Sequence, residues 1–175
     1  MTARTLKARF ALVQYRRVFA AAGWTAAGVG GEGHGASTDA TPVEHAILGL
    51  LDAVADEHPL GHQPSKAARY VLLSRHGARV EIMFEKNAGS PAHLWCRESA
   101  AGTALIATQR SQLYPYSALW AKRGADGERL YGRHSALRTM PQLGGADLVR
   151  FTPACVAEAE QIIDRLRGVT PADLS

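Results

Sequence analysis

Cysteine is scarce in this chain. Only Cys96 and Cys155 occur, too far apart to match a metal-binding or redox spacing. A disulfide scaffold, a zinc ribbon and a thioredoxin-like motif are therefore excluded, and both thiols are expected to be buried and reduced, as in a cytoplasmic protein. No apolar run approaches the ~20 residues of a membrane span. There is no Gly-x-Ser-x-Gly elbow, no Ser-His-Asp arrangement and no dinucleotide fingerprint, so the commonest hydrolase and oxidoreductase signatures are missing. His58 and His62 flank Pro59 and Gly61, which argue against the helix that a metal-binding spacing needs, so a surface loop is expected there and no metal or cofactor is anticipated.

Charge of one sign is missing in two blocks. Residues 1–31 hold Arg4, Lys7, Arg9, Arg16 and Arg17 and no acid, while residues 32–62 hold six acids and no base. Residues 63–175 carry the remaining fifteen bases against ten acids. A basic first block can meet a nucleic acid or an acidic protein surface, or dock on the acidic block beside it.

What is present describes a globular chain, since 46% hydrophobic against 21% charged residues is incompatible with wholesale disorder. Thr5 to Ala22 has helical periodicity, with Leu6, Phe10, Val13 and Phe19 near one side, and makes residues 1–27 a basic N-terminal helix. Arg16-Arg17-Val18-Phe19 is similar to a twin-arginine export signal, but no Ala-x-Ala cleavage site follows, so export is the alternative to a cytoplasmic location. Residues 28–40 read as a glycine-rich linker; with no Gly-Lys-Ser or Gly-Lys-Thr to close it, the run is not a phosphate loop. Residues 41–168 read as a single domain and residues 169–175 as a tail.

Thr41-Pro42-Val43-Glu44 has the form of a capping box and predicts a helix to about Glu57, with Val43, Ile47, Leu50, Leu51 and Val54 on one stripe. Strands are predicted at Tyr70–Ser74, Arg79–Lys86, His93–Arg97, Ala104–Thr108, Tyr116–Ala121, Glu128–Tyr131 and Asp147–Phe151. Thr152-Pro153 is expected to cap a last helix with the stripe Val156, Ala159, Ile162, Ile163 and Leu166 and a stop at Gly168, while Ser135 is expected to cap a short helix through Met140. Strands cluster between helices, which predicts an α+β fold. Its mostly antiparallel sheet of about five to seven strands is packed by an internal and a C-terminal helix, with an N-terminal helical arm.

Ser74-Arg75-His76-Gly77-Ala78-Arg79, behind the apolar run Tyr70-Val71-Leu72-Leu73, resembles the signature of histidine phosphatases. The resemblance covers six residues and implies His76 as a nucleophile with Arg75 and Arg79 as phosphate clamps. The family's His-Asp or His-Ala-Glu pair has no counterpart later in the chain. Read from the residues themselves, Val80, Ile82 and Phe84 alternate with Glu81, Met83 and Glu85, which makes this segment a hairpin with Arg75-His76-Gly77 as its turn and a positive φ at Gly77.

From Arg110 to Arg138 the cations Arg110, Lys122, Arg123, Arg129, Arg133 and Arg138 interleave with Tyr114, Tyr116, Trp120 and Tyr131. Guanidinium groups pair with phosphates and bases stack on aromatic rings, so this stretch is the expected surface for a polyanion, most simply a nucleic acid, bound without covalent chemistry. The enzymatic alternative brings Arg75-His76 together with Arg133-His134, Arg79 assisting, as an anion site for phosphoryl transfer or phosphodiester cleavage. A third reading is a protein-interaction module whose basic helix docks on an acidic partner.

Overall fold

The computed structural model describes residues 42–86, 91–118 and 133–175. The expected N-terminal helix, the glycine-rich linker, Thr41 of the capping box and the strand at Glu128–Tyr131 lie outside the described residues. The domain is α+β: a six-stranded sheet in the order β1-β2-β3-β4-β6-β5, antiparallel at every pairing, with helices on one face.

Helix α1 (Pro42–Val54) opens on proline, which fits a first helical position because its missing N–H has no intrahelical partner. Its stripe buries Ala46, Ile47, Leu50 and Leu51, with Val43 and Val54 partly buried beside them. The helix stops three residues before the expected Glu57. Asp56–Glu57 instead form β1, a two-residue edge strand on β2 (Ala67–Leu73), a length too short to leave a periodic trace in sequence. The Tyr70 hydroxyl donates to Asp52 Oδ1 at 2.7 Å and ties the last turn of α1 to β2.

Strands β2 and β3 (Arg79–Glu85) form the expected hairpin. Ser74 Oγ accepts from the amides of His76 and Ala78, and Gly77 adopts φ +81°, so the turn is closed by a serine and a left-handed glycine. Strand β4 (His93–Arg97) follows β3, and β6 (Leu148–Phe151) lies between β4 and β5 (Ser111–Tyr114). Alternation sends Tyr70, Leu72, Val80, Ile82, Phe84, Leu94, Cys96, Val149 and Phe151 to the main core, against α1 and α4 (Val156–Arg167).

Several expectations need correction. Ala104–Thr108 is not a strand but lies in helix α3 (Thr103–Thr108), which follows the short α2 (Glu98–Ala101); a five-residue apolar run carries too little periodicity to separate helix from strand. Of the strand expected at Tyr116–Ala121, residues 119–121 lie outside the described residues and Tyr116–Ala118 is a 3-10 turn, because the sheet uses Ser111–Tyr114 and Pro115, lacking an N–H, ends the ladder. Thr152 does not cap α4. The cap is Cys155, without a side-chain bond, and Glu158 Oε2 accepts from the Ala154 amide instead. Cys155 is exposed, so only Cys96 matches the buried thiol expected of both. Residues 169–175 are packed: Val169 is buried, and the 3-10 turn Pro171–Leu174 receives Arg97 and Ser99 on the carbonyls of Leu174 and Asp173.

The opposite face of the sheet is covered over part of its area by residues 133–146. Ala136, Leu137, Met140, Leu143 and Ala146 pack on Ala67, Met83, Trp95 and Leu148 as a second, smaller core. Gly144 makes this cover possible, since a Cβ there would come within 2.8 Å of the Arg138 carbonyl. The domain thus has three layers: helices, sheet and an irregular cover.

Candidate functional site

Chemistry-bearing side chains gather on the covered face, where β4, β6 and β5 run side by side. Trp95 and Tyr114 face each other with ring centroids 4.7 Å apart and planes at 50°. The Arg150 guanidinium lies across both, 5.6 Å from the Trp95 centroid and 5.4 Å from that of Tyr114. Arg150 Nη2 donates to Gln112 Oε1 at 2.6 Å, which also accepts the Tyr114 hydroxyl at 2.9 Å. Trp95 Nε1 donates to Glu85 Oε2 at 3.1 Å. Gln112 and Tyr114 share this face through the period-two alternation of β5, and Arg110 immediately precedes the strand.

Of the basic and aromatic residues expected to form one surface, Tyr114 takes part in this stack, and Arg110, exposed, stands at its margin. Tyr116 is 48% exposed beside it. Its amide donates to Asp147 Oδ1, and the Arg133 guanidinium lies 6.0 Å from its ring centroid. Arg133 itself is a clamp: its two terminal nitrogens donate to the carbonyls of Tyr114, Leu143 and Ala146. Arg138 is exposed on the 3-10 turn Ser135–Thr139. Lys122, Arg123 and Arg129 lie outside the described residues.

Ser135 does not cap that turn; His134 does, its Nδ1 accepting from the Ala136 amide at 3.2 Å, because an imidazole nitrogen reaches an amide two residues ahead as a serine oxygen would. The structure does not bring His134 and His76 together. His76 sits in the β2–β3 turn, while the charges around His134 are Glu85, Lys66 and Arg69, at the far end of the same hairpin. Six steps along a strand separate those ends, roughly 20 Å. Arg75 forms an exposed ion pair with Asp164 at 3.2 Å, its backbone amide donating to the Arg167 carbonyl, and Arg79 opens β3 with an exposed side chain.

Sequence reasoning missed Arg150, Trp95, Gln112, Glu85 and His93, which come from four strands, with only His93 and Trp95 on the same one, and share no motif. It also misplaced His58. Far from lying in a surface loop, His58 is 5% exposed and donates from Nε2 to Glu81 Oε1 at 3.2 Å. The donor assignment follows from the other ring nitrogen, since Nδ1 accepts from the Leu60 amide at 3.1 Å and must carry no proton. Glu81 Oε2 accepts from the Gln142 amide at 2.9 Å, and the Glu81 amide donates to Gln142 Oε1, so sheet, loop and cover are joined around one buried carboxylate.

Burial sets the titration of this face. It raises the Tyr114 hydroxyl and lowers the imidazoles of His93 and His134; for His93 the nearby Arg150 and Arg110 lower it further while Glu85 and Glu44 oppose, and for His134 Glu85 opposes while Lys66 and Arg69 assist. A histidine lowered in the folded state favours the neutral form, so its contribution is complete above the ordinary value of about 6.5 and is lost as pH falls through that value toward the folded one. The melting temperature is therefore expected to drop between pH 7.5 and pH 5, and His93→Gln should flatten the profile measured by calorimetry. An unchanged slope in that variant would show that His93 is not among the groups responsible.

Arg69, Arg133 and Arg150 make no ion pair among the described residues, and the buried Nε of each has no hydrogen-bond acceptor there. No group of three or more His, Cys, Asp or Glu side chains suited to a metal ion occurs among the described residues, and no described helix is long and apolar enough to cross a membrane. No family model matches the chain, and no curated protein and no solved structure matches it.

Proposed function

We propose that this chain binds a polyanion, single-stranded nucleic acid, on the open part of the covered face and leaves it chemically intact. The observation that carries the reading is Arg150, whose guanidinium lies across Trp95 and Tyr114 without a carboxylate partner among the described residues. Set against two rings and fixed through Nη2 to Gln112, the guanidinium can offer its remaining terminal N–H groups to phosphate oxygens while losing little conformational freedom on binding. Tyr116 supplies a half-exposed ring for a base, and Arg110 a second cation at the margin.

Of 20 basic and 16 acidic residues, residues 1–41 and 119–132 hold eight and four and residues 87–90 hold neither, which leaves twelve of each among the described residues. The described body is therefore neutral overall and supplies no long-range steering, so contact must come from local geometry and from the basic flanking segments. Binding of a dye-labelled oligothymidylate to the full chain, followed by fluorescence anisotropy, is expected to weaken with salt at a slope of about 0.7 per phosphate contacted. Arg150→Ala and Tyr116→Ala should each weaken it by about tenfold or more, in line with ~1–3 kcal/mol for a stacked base. Oligonucleotide affinity indifferent to both substitutions, or absent at low salt, would remove the proposal.

A further inference from the structure

A second site lies on the same face at the opposite end of the sheet, and its chemistry is independent of the nucleic-acid reading. Here the His58 loop, the open half of β2 and β3 and the cover residues line an open cavity of about 270 Å³. Its walls are Pro59, Leu60 and Pro141 with Thr139 and Gln142, and its floor is Val71 with the buried pair His58 and Glu81. Arg79, exposed, stands at the rim, and its side chain has no ion-pair partner among the described residues.

We infer that this cavity binds a small apolar monocarboxylate, with its hydrocarbon body in the cavity and its carboxylate on Arg79. The orientation follows from the floor. Both nitrogens of His58 and both oxygens of Glu81 already have partners, so the floor offers no free donor to an acid group, and the Glu81 carboxylate repels a second one. The proline and leucine walls take apolar surface, the Thr139 hydroxyl and Gln142 side-chain amide donate to backbone carbonyls, and Arg79, the one cation among the described residues lining the cavity, stands at its mouth, where a guanidinium can grip a carboxylate by two hydrogen bonds while solvent still reaches it. The volume falls just below the ~300–1,000 Å³ of pockets for drug-sized ligands, so the ligand is a single-ring or short branched acid. An affinity on the order of 1 mM suits so few atoms.

Benzoate is the probe, and benzamide, equal in shape but uncharged, is its control. In amide correlation spectra of the full chain, benzoate up to about 10 mM is expected to shift the Leu60, Val71, Glu81 and Gln142 signals saturably, with benzamide about tenfold weaker. Arg79→Gln should weaken benzoate by a similar factor at unchanged melting temperature, and Arg79→Lys should retain part of the affinity. Shifts that do not saturate, equal affinity for benzoate and benzamide, or indifference to Arg79→Gln would each overturn the inference. Because Arg150 lies outside this cavity, Arg150→Ala should leave benzoate binding intact, which separates a failure here from a failure of the nucleic-acid reading.

Discussion

Glu81→Ala is expected to lower the unfolding free energy by about 3 kcal/mol, read by urea denaturation at neutral pH. Glu81 is 6% exposed, and its carboxylate answers two donors, the buried His58 Nε2–H and the partly buried Gln142 amide. Truncation strands both donors and opens space beneath the cavity. Leaving a buried donor unmatched costs about 1–3 kcal/mol, so two of them dominate any gain from removing a buried charge. Glu81→Gln separates the causes: one amide oxygen cannot answer two donors, and its NH₂ must face one of them, so an intermediate loss of about 1–2 kcal/mol is expected. A loss under about 0.5 kcal/mol for Glu81→Ala would mean that the loop and the cover are held by apolar contact alone.

The second large effect is expected at Arg133. Its guanidinium reaches three carbonyls, of Tyr114 at the end of β5 and of Leu143 and Ala146 in the cover, and so fastens the irregular layer to the sheet edge. Arg133→Ala should cost about 2–4 kcal/mol, and Arg133→Lys more than half of that, because an ammonium carries its donors on one atom and cannot span acceptors spread around a planar fork. The loss is expected to be local. Amide hydrogen exchange should quicken across residues 133–146 and β5 while the β2–β3 hairpin keeps its protection, since the main core lies on the other face. Exchange that quickens uniformly, or not at all, would show that Arg133 is not what holds the cover. A cation–π contact to Tyr116 also ends with Arg133→Ala, so oligonucleotide binding should weaken alongside the cover.

These two residues mark the boundary between what could be read from the residues and what could not. The β2–β3 hairpin was legible because Val80, Ile82 and Phe84 recur at every second position of β3 behind an apolar run, and Gly77 supplies the one backbone conformation its turn requires. Helices α1 and α4 were legible because their apolar residues recur at helical spacing over three turns, with Pro42 and Gly168 at the ends. Where an element is two to six residues long, as in β1, α3 and β5, no period develops, and assignment depends on which partner is near. Tyr114 and Tyr116 stand out by composition, but Trp95, Glu85 and Arg150 do not, since only the placement of β4 between β3 and β6 brings them into one cluster.

Local preference, read along the chain, was enough to determine the α+β class, the central hairpin and the faces its side chains occupy. Such preferences are set by neighbours within a few residues, and they survive whatever the rest of the molecule does. The cover, the buried His58–Glu81 pair and the roles of the arginines were decided by tertiary structure. Whether a guanidinium clamps carbonyls, as Arg133 does, or packs against two rings and a glutamine, as Arg150 does, depends on partners supplied from distant strands, and no arginine carries that information in its own sequence context.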